Sequence, residues 1–173
     1  GLATRMEVAI YFNENEDKYI DLLVYLPNNV EGPVPAFLAM NLAGNTSIHK
    51  DEGIAEPTEM QLENYEIYGI PARGQKQHRF PLEMILDRGY AFVTYFKSDI
   101  DPDFDDGYRN GVHPFIYRPG QYFPDPDQWG SISAWAWGMS RVMDYLETQD
   151  RIDCHRVAAI GHSRGGKTAL WAG

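Results

Sequence analysis

A chain of 173 residues, 43% hydrophobic and 13% aromatic, is long enough for one domain with a sizeable core. Its net charge of −10, with no cluster of lysine and arginine, excludes the basic face that a duplex nucleic-acid binder needs. One cysteine, Cys154, excludes an intrachain disulfide, and no stretch reads as a signal peptide, a membrane span or a twin-arginine leader, so no nucleic-acid or membrane partner is expected.

The segments "RMEVAIYF" and "KYIDLLVYL" flank the polar turn "NENED" and predict a β-hairpin. In the second segment Ile20, Leu22, Val24 and Leu26 face one way, and Tyr19, Asp21, Leu23 and Tyr25 the other. After the loop "PNNVEGP", the continuous apolar run "VPAFLAMNL" predicts a strand covered on both faces. From Gly44 to about Gln77 the chain is polar and irregular, which suggests a functional loop with some local helix. "FPLEMILDRG" predicts a short helix with Pro81 in its first turn and Gly89 as its stop. "YAFVTYF" is another buried strand. From Lys97 to Gly130 the density of Asp, Pro, Gly and aromatics predicts an extended surface loop.

Ser131 is expected to cap a long helix, whose apolar stripe runs through Ile132, Trp135, Ala136, Met139, Val142, Met143 and Leu146. "HRVAAIG" predicts a short strand, and a helix begins after Ser163. The order of elements predicts one α/β domain over residues 1–173, with a mostly parallel sheet behind an antiparallel start. The chain closes at "TALWAG" inside an apolar helical pattern with no stop. The domain is therefore expected to be incomplete, with strands missing beyond the last one, whose far side would be unpaired and apolar.

"GHSRGGKT", residues 161–168, satisfies two chemical motifs at once. As G-x-S-x-G it is a nucleophile elbow that raises Ser163 on a strained turn, with small residues, Gly161 and Gly165, two before and two after. The helix that follows points its positive end at the same spot, where negative charge would develop. Residues 41–46, at the end of "VPAFLAMNL", fall where an elbow's second oxyanion donor belongs. As G-x-x-x-x-G-K-[ST] the same string is a P-loop, with Lys167 and Thr168 for a nucleotide and magnesium. A P-loop usually follows an early strand and wants a metal-binding Asp at a strand end; here it follows four strand-like segments, with Asp99 a loose candidate. The residue types favour the elbow and leave the P-loop as the alternative.

"GHSRGGKTALWAG" resembles the nucleophile segment of the glucuronoyl esterases, carbohydrate esterase family 15, whose pattern is G-x-S-R-x-G-K. "PVPAFLAMNLAGN" is similar to that family's strand and oxyanion loop, and "RGYAFVTYFKSDIDPDFDDGYRNGVHP" and "AWAWGMSRVMDYLETQDRID" resemble segments of its bacterial members. The resemblance spans roughly residues 7–173. It implies an α/β-hydrolase fold and cleavage of an ester between a glucuronic acid of xylan and a lignin-type alcohol, with no metal or organic cofactor. It implies a carbohydrate-ester partner such as glucuronoxylan and a secreted or periplasmic location. Ser163 matches the nucleophile, Arg164 the arginine whose side chain helps hold the oxyanion, and Lys167 the lysine that hydrogen-bonds hydroxyls of the glucuronate ring.

A serine nucleophile needs a base and an acid to orient it, and in α/β-hydrolases both follow the serine in chain order. Only 10 residues follow Ser163, so both are expected beyond residue 173 and the chain alone is expected to be inactive and aggregation-prone. None of His49, His78, His113, His155 and His162 is nominated as a base. "DIDPDFDDG" lacks the glycine and the terminal glutamate of a calcium loop and reads as a structured acidic loop. An acetyl xylan esterase, a non-catalytic carbohydrate-binding relative and a nucleotide binder are the alternative functions.

Overall fold

The computed structural model describes residues 2–14, 18–63, 65 and 69–173. The hairpin forms as expected. β1 (Ala3–Tyr11) runs antiparallel to β2 (Tyr19–Pro27), with Ala3 opposite Pro27 and Tyr11 opposite Tyr19; residues 15–17 of its turn lie outside the described residues. β3 (Val34–Asn41), β4 (Ala91–Phe96) and β5 (Ile152–Ile160) complete a five-stranded sheet in the order β1-β2-β4-β3-β5. β4 is antiparallel to β2, whereas β3 is parallel to both β4 and β5. The crossover from β3 to β4 carries α1 (Glu59–Glu63) and α2 (Leu82–Asp87); α3 (Ser131–Leu146) joins β4 to β5, and α4 (Arg164–Ala172) follows β5.

Period-two alternation in the central strands sorts two cores onto the two faces of the sheet. Ile20, Leu22, Val24, Leu38, Met40 and Val93 pack against Trp135, Met139, Val142 and Leu146 of α3. Leu23, Tyr25, Ala39 and Phe92 pack against Leu82 and Leu86 of α2 on the opposite face. The apolar stripe expected on α3 is the buried one, with Ile132 and Met143 at its margin. Ser131 is the first helical residue, not the cap: Gly130 takes that place and no side chain caps the helix. β5 lies at one edge of the sheet, with His155, Arg156, Ala158 and Ala159 exposed along it.

The segment from Lys97 is only partly a surface loop. Lys97 to Asp101, Val112 and His113 are buried, because this part of the chain is clamped between β4 and α3. Trp135 Nε1 donates to the Asp101 carbonyl at 2.9 Å, and Tyr95 Oη donates to the Trp135 carbonyl at 2.8 Å. Asp99 accepts the Asp21 N–H at 3.0 Å and Gln61 Nε2 at 3.2 Å. Burial outweighs these bonds and pushes its carboxyl up to about 8.

An aspartate of an unfolded chain titrates near ~4, so between pH ~4 and about 8 the folded chain keeps a proton that the unfolded chain has lost. The stability this site contributes is complete below pH ~4 and is lost as pH rises to about 8, at up to about 1.4 kcal/mol per pH unit. Asp99→Asn is expected to flatten that slope in urea unfolding between these pH values. An equally steep profile in the variant would show that the proton sits elsewhere.

Candidate active site

β5 ends at Ile160 and α4 begins at Arg164, so the chain reverses within Gly161, His162 and Ser163. Ser163 has φ 56° and ψ −121°, a region a non-glycine side chain enters at a cost of about 1–3 kcal/mol. The turn is closed by backbone contact. A Cβ on Gly161 would lie 2.2 Å from the Gly165 carbonyl oxygen and 2.8 Å from the Gly166 nitrogen. Gly165, the second small residue of the motif, is less constrained: its Cβ would meet Met40 O at 3.7 Å and Met40 Cε at 3.9 Å, ordinary contact distances. The tighter partner is Gly166, whose Cβ would lie 3.3 Å from Gly161 O.

This geometry excludes the P-loop. A phosphate-cradling loop must stay open up to the motif's second glycine, but here helix has already begun at Arg164 and Gly166 is its third residue. The first helical hydrogen bond runs from Lys167 N–H to Ser163 O at 3.1 Å. The N–H groups of residues 164–166 therefore have no acceptor within the helix and stand at its positive end beside the exposed Ser163. Lys167, four residues on, shares the helix face of Ser163 and is exposed.

The loop after β3 is held by a relay of two asparagines. Asn41 Nδ2 donates to Asn45 Oδ1 at 2.8 Å and to Thr94 Oγ1 at 3.2 Å, and Asn45 Nδ2 donates to the Asp21 carbonyl at 2.8 Å. Asn41 Oδ1 accepts the Ala43 N–H at 3.3 Å, which turns that amide toward the protein. Gly44, at φ 85°, lies under the Tyr65 hydroxyl, so close that a Cβ would overlap it at 1.5 Å. The Tyr65 ring stacks on Phe96 with centroids 4.5 Å apart. Ala43, Tyr65 and Phe96, with Lys97, Gly161 and His162, line a cleft of about 780 Å³ at the carboxyl ends of β3, β4 and β5. This is the crevice in which open α/β sheets bind ligands.

The guanidinium of Arg164 is paired with Asp103, through Nη1 and Oδ1. The other carboxylate oxygen of Asp103 is 3.3 Å from Nζ of the buried Lys97. Burial lowers the pKa of Lys97, and Asp103 opposes that shift. The rest of the acidic loop is engaged with its own chain: Asp106 accepts the N–H of Tyr108 and of Asn110 at 2.8 and 2.9 Å. Asp101 faces His113, Oδ1 to Nδ1 3.3 Å, both buried, with the Tyr108 ring 4.6 Å from the imidazole. His49 is tied to Glu83 at 3.0 Å, and His78 and His155 are exposed. Among the described residues no histidine makes a hydrogen bond to Ser163. Asn41, Tyr65, Lys97 and Asp103 carry no motif of their own; Asn41 was legible only through "MNLAGN", and Lys97 and Asp103 only as members of "RGYAFVTYFKSDIDPDFDDGYRNGVHP".

A family model described as "Glucuronyl esterase, fungi" matches residues 74–173. The carbohydrate esterase MZ0003 of an unknown prokaryotic organism is 43% identical over 100% of this chain and 41% of its own length. The 4-O-methyl-glucuronoyl methylesterase 1 of Phanerochaete chrysosporium is 38% identical over 51% of this chain and 18% of its own length. A solved glucuronoyl esterase from Solibacter usitatus superposes with a TM-score of 0.88 and 38% identity, over 99% of this chain and 44% of that one. The chain thus spans less than half the length of these relatives. Among the described residues no helix is long and apolar enough to cross a membrane. With the elbow, β4, β5, α3 and α4 all falling within residues 74–173, and the whole sheet superposing on the Solibacter usitatus enzyme, the chain belongs to the glucuronoyl esterase family and carries part of that family's α/β-hydrolase fold.

Proposed function

We propose that the full-length protein is a serine carbohydrate esterase that cleaves the ester between a glucuronic acid of xylan and a lignin-type alcohol. The observation that carries this reading is the strained Ser163 at the head of α4, inside a segment that matches the family model throughout. Ser163 Oγ attacks the uronate carbonyl carbon, its proton passes to a base, and the alcohol leaves with a proton. Water then releases the glucuronate from the acyl-enzyme. The base and its orienting acid belong, in this reading, to sequence following residue 173, which the greater length of the relatives supports. In the first step the carbonyl oxygen becomes an oxyanion beside the free N–H groups of the α4 N-terminus, where Arg164 adds its charge. Lys167, on the same helix face as Ser163, is assigned to the hydroxyls of the sugar ring. A cell-wall polymer is too large to enter a cell, so the activity is placed outside the cytoplasm.

The test compares alkyl or benzyl glucuronate esters with acetylated xylan as substrates of the full-length protein. Preference for the glucuronate ester is expected, and preference for acetyl groups would reassign the enzyme as an acetyl xylan esterase. Lys167→Met is expected to raise KM for the glucuronate ester by about 10-fold, the loss of one charge-assisted hydrogen bond, with little change in kcat. An unchanged KM would remove Lys167 from the sugar site.

A further inference from the structure

Arg164 is a long, half-exposed side chain, 46% accessible, on the first residue of α4. An unrestrained arginine samples many rotamers, and electrostatic stabilisation of a transition state is effective only when the donor is already in place. The side chains around it supply such a restraint. Lys97, at the carboxyl end of β4, has a side chain only 4% accessible and is fixed by packing, with Nζ 5.7 Å from the centre of the Phe96 ring and 5.8 Å from that of Trp135. It holds one oxygen of Asp103, itself 12% accessible, and the other oxygen holds the Arg164 guanidinium. We propose that Asp103, anchored by Lys97, is a positioning residue that presets the guanidinium of Arg164 for the oxyanion formed at Ser163.

The charges agree with this role. A carboxylate alone beside the oxyanion would oppose it. With Lys97 on its far oxygen the three groups carry two positive charges and one negative, leaving one net positive charge on a group that includes the residue next to Ser163. Lys97 also lines the cleft, so this anchor is built into the wall of the pocket that the substrate would enter. The guanidinium presents five N–H donors, of which this pair engages those of one nitrogen, leaving others for the substrate oxygen. None of this depends on the loop motif: Asp103 reaches Arg164 across 61 positions of sequence.

The proposal rests on the reading of Arg164 as an oxyanion donor, and the experiment separates the two. In the full-length protein, Asp103→Asn is expected to lower kcat by about 10- to 100-fold with KM within about threefold, since an interaction made only in the transition state is lost. In an Arg164→Ala background the same substitution is expected to cost nothing further, because there is no guanidinium left to position. Asp103→Glu keeps the charge and is expected to recover most of the kcat, which separates positioning from a loss of fold. Lys97→Met is expected to lower kcat only when Arg164 is present. An unchanged kcat in Asp103→Asn, an equal loss with and without Arg164, or no recovery in Asp103→Glu would each overturn the proposal while leaving Arg164→Ala impaired. If instead Arg164→Ala retains full kcat and Ser163→Ala does not, the oxyanion reading itself fails and takes the proposal with it.

Discussion

Ser163→Ala in the full-length protein is expected to reduce kcat for a glucuronate ester by about five to six orders of magnitude, as removing a nucleophile abolishes the covalent route. Substrate binding should survive, because the cleft wall and Lys167 are untouched. The same variant should lose the acyl-enzyme that hydroxylamine traps from the wild type. The structural basis is the backbone conformation at Ser163. With φ 56° and ψ −121° the residue stands on the crest of the turn, exposed, with the first helical amides beside it. A serine with no chemical duty would gain by relaxing, since such a conformation costs about 1–3 kcal/mol and glycine would adopt it freely. Ser163→Gly is therefore expected to be at least as stable as the wild type while equally inactive. Retained turnover in Ser163→Ala would refute the serine-esterase reading outright.

The second large effect is on stability and falls on a different residue of the same motif. Gly161→Ala places a methyl group 2.2 Å from the Gly165 carbonyl oxygen and 2.4 Å from its carbon. Both are backbone atoms of a helix packed on the sheet, and neither can swing aside as a side-chain tip would. A destabilisation of about 3 kcal/mol is expected, from overpacking against backbone, with α4 displaced and activity lost. Gly165→Ala is the control. Its methyl group meets Met40 at 3.7 and 3.9 Å, and alanine is favoured over glycine inside a helix, so stability is expected to be unchanged or higher by up to about 1 kcal/mol. Thermal or urea unfolding of the two variants checks the pair. Equal destabilisation would mean that the motif's two glycines serve the same steric purpose, contrary to the distances.

The elements of this fold were legible because each carries a local signal. Alternation in "KYIDLLVYL" separates Ile20, Leu22, Val24 and Leu26 from Leu23 and Tyr25, and the sheet buries these sets on opposite faces. The period of the α3 stripe matched the buried face. Two local expectations failed, for physical reasons. Ser131 was read as a cap because serine is good at that work, but Gly130 holds the position and the Ser131 hydroxyl makes no cap bond. The segment after β4 was read as surface because Asp, Pro and Gly are usually solvated. Its first residues are nonetheless clamped beneath α3, with Trp135 bonding the Asp101 backbone and Asp99 buried against Asp21 and Gln61.

The site divides in the same way. Ser163, Arg164 and Lys167 lie within five consecutive residues, and spacing alone sets them around one turn and one helix face. That string also fitted a P-loop, and no count of glycines could separate the two. The difference is where the helix starts, which depends on α4 packing down onto β5 and Met40 until Gly161 touches Gly165. The sequence by itself determined the elbow turn at Ser163, the placement of the two basic residues beside it and the order of elements, because these are encoded by neighbours in the chain. Only the tertiary structure decided what surrounds them: Asn45 reaching Asp21, Tyr65 closing over Gly44, and Asp103, paired with Lys97, meeting Arg164. The contacts of Asn45, Tyr65 and Arg164 join residues 21 to 61 positions apart, and a side chain carries no local mark of a partner that the crossing of strands and helices brings to it.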